Sequence, residues 1–406
     1  MNNSTFCIMP HIALAMQNNG DISVCNVCKT SLHINGQPSS IDKNKIDDFW
    51  NSKTRQEIIS DLDNGKIHHG CSSCFEKEAT GNISPRLDFN ELFKNLSYKL
   101  TPQVLIVKPG NTCNSACRTC VPETSSSLYS DYYKLYAEKN PTVSFKTYIK
   151  KFEVIKESFS ENNINFWPAI NDWYENLYYM DVYGGEPWLI SGLWKSLQYA
   201  VDNDFAKNIS LQFHTNAMTW NEKYLDILTN FKNVKIGLSI DSHIENEFNY
   251  LRHKSNYSTV IENCNKFINF ANKQQNLTCS ISVTPSILNL YNLNEVVLNL
   301  RKQFNISVGY TNFVYEPKHY DIRHLPREVK KYIINKFKNT EFEQVSNFMN
   351  SPIQSCELYW PKFCLETEKL DRLRNQSFNQ IFPEWYSILE PYWDYKKRHK
   401  DWYGTV

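Results

Sequence analysis

The chain has 406 residues, with Lys+Arg 44 against Asp+Glu 43, a balance that leaves no net field to draw in nucleic acid or an anionic membrane. No apolar run approaches the ~20 residues of a membrane span, and Met1-Asn2-Asn3-Ser4 lacks a basic region followed by a secretory apolar core. The expectation is a soluble cytoplasmic protein of two or three domains or one elaborated barrel, whose 12 cysteines are ligands or packed thiols and not disulfides.

Residues 1–95 read as a first unit. Cys7, Cys25, Cys28, Cys71 and Cys74 lie in it, and no cysteine follows until Cys113. A helix is predicted from Ser52 to Asn64, with Ile58, Ile59 and Leu62 on one side and Gly65 as its stop. It would carry the first cysteine group back toward the second. Cys25-x2-Cys28 with Cys71-x2-Cys74 fits a zinc site.

From Thr101 strands alternate with helices, the pattern of a parallel α/β fold. Strands are predicted at Val104–Lys108, Tyr178–Tyr183, Ile209–Thr215, Val234–Asp241, Leu277–Thr284 and Ile306–Phe313, with helices near 188–204, 222–230, 256–273 and 293–303. Buried parallel strands are usually apolar on both sides. Here Leu211, Phe213 and Thr215 alternate with Gln212, His214 and Asn216, and the neighbouring strands alternate likewise. Successive side chains point to opposite faces, so one face suits the helices and the other is polar. A barrel filled only by its own core would want bulky branched residues inside. The polar lumen implies a ligand cavity, with Asp181, Tyr183 and His214 as candidate catalytic residues.

After the first of these strands, Cys113, Cys117 and Cys120 stand at C-x3-C-x2-C. One loop of this spacing wraps a metal centre and offers three thiolates. An iron–sulfur cube takes four ligands, so one iron would stay open for chemistry. A zinc loop or buried thiols are the plainer alternatives. Gly184-Gly185-Glu186-Pro187 follows the second strand, as a ligand-binding turn or simply a tight turn into a helix. Thr215-Asn216 and Ser239-Ile240-Asp241 close the third and fourth strands, and Arg252 follows.

In combination these segments resemble the radical S-adenosylmethionine (radical SAM) superfamily. The resemblance implies a partial (β/α)6 barrel over 101–313, in which Cys113, Cys117 and Cys120 hold a [4Fe-4S] cluster. It gives Gly184, Gly185, Glu186, Asn216, Ser239, Asp241 and Arg252 contacts with SAM. Two departures are visible: Ala217 replaces the glycine of the family's Thr-Asn-Gly, and Thr119 stands where an aromatic residue packs on the adenine. Cys7-x12-Gly20-x4-Cys25 and Cys71-x2-Cys74 resemble the SPASM and Twitch auxiliary modules. Phe6-Cys7-Ile8-Met9-Pro10 resembles the opening of a subgroup that carries this module before the barrel. The resemblance implies a second [4Fe-4S] cluster on Cys7, Cys25, Cys71 and Cys74, with Cys28 as alternative ligand. It also implies an electron donor such as flavodoxin or ferredoxin, and cleavage of SAM to a 5′-deoxyadenosyl radical that takes hydrogen from a peptide. A small molecule, such as a sugar or aminocyclitol, is the alternative substrate. A zinc-stabilised binding protein with a degenerate barrel is the reading from another class.

Residues 121–176 read as a helical insertion, either a lid or core padding, and 314–406 as a helical extension with Trp360, Trp385, Trp393 and Trp402 packed across the barrel. Cys264 and Cys279 read as core thiols, and Cys356 and Cys364 stay without a role.

Overall fold

The computed structural model describes residues 5–394 apart from 19, 40, 42–43, 80, 82, 152–165 and 352–355. Its centre is an eight-stranded sheet of β1 Ala13–Met16, β2 Ile22–Ser23, β3 Val104–Val107, β4 Tyr179–Val182, β5 Ser210–Thr215, β6 Asn233–Ser239, β7 Leu277–Ser282 and β8 Val308–Gly309. The spatial order is β8-β7-β6-β5-β4-β3-β1-β2. Every neighbouring pair is parallel except β1 with β2. The chain is thus an α/β protein built on a parallel sheet.

Five of the six predicted barrel strands form within two residues of the expected bounds. The sixth shrinks to Val308–Gly309. Tyr310, Phe313 and Val314 are buried there without pairing as a strand, and the Phe313 ring stacks on Phe348 at 3.9 Å. Side-chain packing replaces the ladder at this sheet edge. The seventh parallel strand, β1, comes from the first unit. Ala13 to Met16 pair in register with Val104 to Val107, so the core is continuous across residues 95–101.

The predicted alternation holds on β5, and β4 shares it, whereas on β7 Cys279, expected on the apolar core face, is half-buried like Ser280 and Ser282 beside it. Met180 and Val182 of β4, and Leu211, Phe213 and Thr215 of β5, are buried, while Tyr179, Asp181, Gln212 and His214 between them are half-buried. β3, with neighbours on both sides, is buried throughout. In the first unit, α1 (Lys53–Asp63) is capped by Ser52 and buries Ile58 and Leu62, and α2 (Ser72–Ala79) buries Cys74. Beyond β3 come α3 (Tyr129–Ala137) and then the helices that cover the sheet: α4 (Ser191–Asp202), α5 (Glu222–Leu228), α6 (Tyr257–Ala271) and α7 (Leu293–Phe304). Along α4 the buried apolar side chains are Leu193, Trp194, Leu197 and Ala200, at the 3–4 spacing of one helical face, with Gly192 and Ser196 buried beside them.

The C-terminal region is helical, with α8 (Arg327–Phe337), α9 (Glu343–Met349) and α10 (Cys356–Arg374). Trp360 and Trp385 are buried with their indole N–H groups donating to the carbonyls of Tyr392 and Ile287. Trp393 is partly buried against the same core, and Trp402 lies outside the described residues. Of the insertion, Phe166, Trp167, Ile170 and Trp173 are core residues. Cys264 and Cys364 are buried and Cys279 is half-buried, while the Cys356 side chain lies outside what is described. Among the described residues, no helix is long and apolar enough to cross a membrane.

Candidate active site

The loops after β3, β4, β5 and β6 meet at one end of the sheet, because parallel strands deliver all their C-terminal ends to the same side. The loop after β3 carries the three thiols. It is held by the backbone: Glu186 N donates to the Thr112 carbonyl at 2.8 Å and Gly185 N to the Thr124 carbonyl at 3.2 Å. Ala116 and Cys117 also pair antiparallel with His253 and Arg252.

Cys117 and Cys120 share a hydrogen bond. That bond and the nearby Arg252 guanidinium lower the Cys117 thiol to about 7 against the opposing effect of burial. Cys120, the donor of the pair, is pushed well up by the same bond and by burial. Burial and the charge of Cys117 raise Cys113 to about 11. Donors are directed at the sulfurs: Ser115 N and Asn216 Nδ2 at Cys113 Sγ (3.5 and 3.8 Å) and Arg252 Nη1 at Cys117 Sγ (3.9 Å). Donors at sulfur stabilise thiolate. The set of three thiols, each within electrostatic reach of the next, fits an iron–sulfur cluster.

The predicted SAM-contact residues gather around this loop. Glu186 is buried, and its carboxylate accepts from Thr215 Oγ1 (2.7 Å), Asn216 N (2.7 Å) and Trp188 N (3.2 Å). Burial raises it to about 7 despite those donors. The Asn216 side chain also donates to Asn114 Oδ1 (2.7 Å) and Ser115 Oγ (3.0 Å). Both glycines of the turn have positive φ, and a Cβ on Gly185 would lie 2.7 Å from the Thr112 carbonyl oxygen. The close neighbour that requires glycine at 185 is therefore the thiol loop's own backbone. Asp241 is buried and accepts from Thr284 N (2.9 Å), while its Oδ2 lies 2.8 Å from Arg252 Nε in a buried ion pair. Ser239, half-buried, ends β6 in register with Ser282.

The lumen candidates share the polar face of β4 and β5. Asp181 Oδ1 is buried with no hydrogen-bond partner among the described residues, and burial raises the carboxyl to about 7. Its register neighbour Gln212 accepts from Tyr179 OH (2.9 Å) and lies 3.2 Å from His214 Nε2. Burial lowers His214. His214 has its room because its partner across the strands is Gly237, where a Cβ would lie 2.8 Å from Nδ1. The Tyr183 ring stands edge-on to His214 at 6.3 Å, and its hydroxyl, raised by burial, is opposed in that rise by Asn26, next to Cys25. Asn26 and Lys108, whose ammonium lies 5.2 Å from the Tyr183 ring, were not singled out from the sequence. Only tertiary contact reveals them.

In the first unit, Cys7, Cys25, Cys28, Cys71 and Cys74 all line one pocket, with Met9, Leu62, Phe75, Arg86 and Phe89. Lys29 N donates to the Gly70 carbonyl at 2.9 Å, which brings the two C-x2-C segments side by side. Cys28 and Cys71 share a hydrogen bond that lowers Cys28 and raises Cys71. Burial raises Cys7 to about 12 and also raises Cys25 and Cys74. Cys28 thus stands inside the pocket, beside the four cysteines expected as ligands. Five thiols in one largely apolar pocket are a soft donor set that suits iron–sulfur or zinc. Among the described residues, no group of three or more His, Cys, Asp or Glu side chains is set to hold a single metal ion.

No family model and no curated protein matches the chain. Similarity is found to solved structures. SuiB of Streptococcus suis bound to S-adenosylmethionine aligns with a TM-score of 0.33 and 14% identity over 67% of this chain and 51% of that one. This chain therefore spans about half the length of that protein. SuiB bound to its precursor peptide SuiA aligns with a TM-score of 0.33 and 14% identity, covering 68% and 62%. Native anSMEcpe with bound AdoMet aligns with a TM-score of 0.39 and 15% identity, covering 66% of each chain.

Proposed function

We propose that the chain is a radical SAM enzyme with two [4Fe-4S] clusters that modifies or oxidises a peptide side chain. The observation that carries the proposal is the meeting of Cys113, Cys117 and Cys120 with Glu186, Asn216, Asp241 and Arg252 at the mouth of a polar-faced parallel sheet. Bound there, held by Cys113, Cys117 and Cys120 with Glu186, Asn216, Asp241 and Arg252 around them, the cluster and SAM would supply one-electron reductive cleavage of the sulfonium and so a means of taking hydrogen from a substrate, the electron coming from an external donor.

The chain's own contribution is ligation, orientation and exclusion of water. Cys117 is held toward its thiolate by Cys120 and by the Arg252 guanidinium, the form in which a cysteine binds iron. Asn216 ties the Cys113 end of the loop to the end of β5, and Arg252 ties the Cys117 end to Asp241. Glu186 spans the turn after β4 and the end of β5, so the backbone of Gly184 and Gly185 stays fixed beside the loop. Of the lumen groups, Asp181 offers on Oδ1 an acceptor without a partner among the described residues, open to a donor on the substrate. The peptide substrate follows from the resemblance of the cysteine-rich first unit to maturase modules.

The test is anaerobic reconstitution with iron, sulfide, reductant and SAM. The expected outcome is about eight iron and eight sulfide per chain and formation of 5′-deoxyadenosine without any substrate. Cys117→Ala is expected to abolish that cleavage and halve the iron. Zinc at about one per chain with little iron would overturn the proposal in favour of a zinc-stabilised binding protein.

A further inference from the structure

Arg118 lies between Cys117 and Cys120, and its side chain is fully buried against the C-terminal region. Its backbone N donates to the Leu251 carbonyl at 2.8 Å and its Nε to the Tyr250 carbonyl at 3.1 Å. The guanidinium lies 3.7 Å from the Tyr250 ring centre. Nη2 donates to Asp371 Oδ1 at 2.5 Å and to Gln376 Oε1 at 3.0 Å. Asp371, in the last turn of α10, gathers the neighbouring segments. Its Oδ1 also accepts from Tyr250 OH at 2.9 Å, and its Oδ2 accepts at 2.7 Å from the N–H of Phe378, which opens the short helix Phe378–Ile381. Its carbonyl accepts from Gln376 N at 2.9 Å. One carboxylate therefore holds the thiol loop, the segment that leads to Arg252 and the helix after α10.

Cys117 pairs with Arg252 and Ala116 with His253 in a ribbon only two residues long. A two-stranded ribbon does not hold its own geometry in water. Arg118 follows Cys117 on one strand of it, and Tyr250 stands two residues before Arg252 on the other. Both are tied to Asp371, so the register that sets Arg252 Nη1 3.9 Å from Cys117 Sγ is fixed from the C-terminal region. The Cys117–Cys120 turn is closed by Cys120 N on the Cys117 carbonyl at 3.2 Å, and the Arg118 side chain anchors that turn to the protein. A pair that served only to dock α10 has no need of a place inside the thiol turn. Arg374 with Asp131, and Arg372 with Glu138, already tie α10 to α3 and the residue after it. Arginine suits the task because its planar fork reaches a carbonyl, a carboxylate and an amide oxygen at once, which a lysine cannot do.

We propose that Asp371, acting through Arg118, is a positioning residue for the thiol loop: it sets Cys117 and Cys120 in the orientation in which they bind a cluster beside Cys113. This role rests on the cluster-binding reading of the three thiols. It makes the C-terminal region part of the active site, although none of the thiols or expected SAM contacts lies there.

The test starts from the metal-free full chain, alkylated with iodoacetamide and mapped by peptide mass spectrometry. Asp371→Asn leaves an acceptor for Arg118 but removes the charge. Cys117 and Cys120 are expected to alkylate about tenfold faster, the worth of a hydrogen bond to a charged group, while Cys25 and Cys74 keep their wild-type rates. Tyr250→Phe loses only the hydroxyl bond to Asp371 and keeps the ring over the guanidinium, and it is expected to raise the same two rates by about threefold. Trp360→Phe, which loses the indole bond to the Tyr392 carbonyl from the same α10, is the control: it lowers the unfolding temperature and leaves both rates unchanged. After anaerobic reconstitution, Asp371→Asn is expected to keep about eight iron per chain and to form 5′-deoxyadenosine about tenfold more slowly, a loss of alignment and not of cluster. Wild-type alkylation of Cys117 and Cys120 in both variants overturns the proposal. An equal rise in Trp360→Phe overturns it as well, and so does wild-type cleavage by Asp371→Asn. If the wild-type chain itself holds no iron or cleaves no SAM, the radical SAM reading falls, and the alkylation rates still decide whether Asp371 sets the two thiols.

Discussion

Ala217 holds a left-handed backbone, φ +57, immediately after Asn216, the residue that binds both Glu186 and the thiol loop. Its Cβ strains that conformation by roughly 1–2 kcal/mol. The geometry persists because Ala217 N donates to Thr215 Oγ1 at 3.1 Å and its carbonyl accepts from Asn263 at 2.9 Å. Ala217→Gly is therefore expected to stabilise the chain by about 0.5–1 kcal/mol, the strain relieved less the entropy glycine loses on folding, read as a raised denaturant midpoint. Asp181 makes a second prediction, through pH. Its folded carboxyl stands at about 7 because it is buried, whereas an unfolded one titrates near ~3.9. Between those values the unfolded chain gives up a proton that the folded chain retains, so stability falls as pH rises through the window and levels above it. Asp181→Asn has no such proton. Its stability relative to wild type should grow from pH 5 to pH 7 and then stay constant, in urea melts at each pH.

Gly70 decides how the two halves of the first thiol pocket approach each other. A Cβ there would lie 2.3 Å from Thr30 Oγ1 and 2.9 Å from Thr30 Cβ, so any side chain pushes the segment after Cys28 away from Cys71. Gly70→Val is expected to lower reconstituted iron from about eight to about four per chain, with 5′-deoxyadenosine formation retained, because the loop of Cys113 lies elsewhere. The C-x2-C pairs, the C-x3-C-x2-C loop and the polar alternation of β4 and β5 were legible because their information is local: ligand spacing on one loop, side-chain period on one strand. Strand β1 was not, since four apolar residues beside Cys7 gain meaning only from the ladder with β3. The same holds for Arg118 with Asp371 and for Tyr183 with Asn26. The Asp241–Arg252 pair was legible as two residues of one site but not as partners, because a loop and a two-residue ribbon bring them together.

The main sheet runs unbroken from the first unit into the strands that follow residue 101. Removing residues 1–95 would strip β1 from β3 and leave Val104–Val107 with unpaired N–H and C=O groups along an apolar edge. Such edges recruit other strands. A 101–406 fragment is expected to elute from size exclusion as oligomers or aggregate, and co-expression with 1–100 to return it to the elution volume of the intact chain. The β1–β3 ladder also works as a ruler. One row of backbone hydrogen bonds sets the gap between the two groups of thiols, so neither can drift without shearing the sheet. A cysteine-rich segment of this sort is no interchangeable accessory: a foreign replacement would have to arrive with a strand of the same length and pleat.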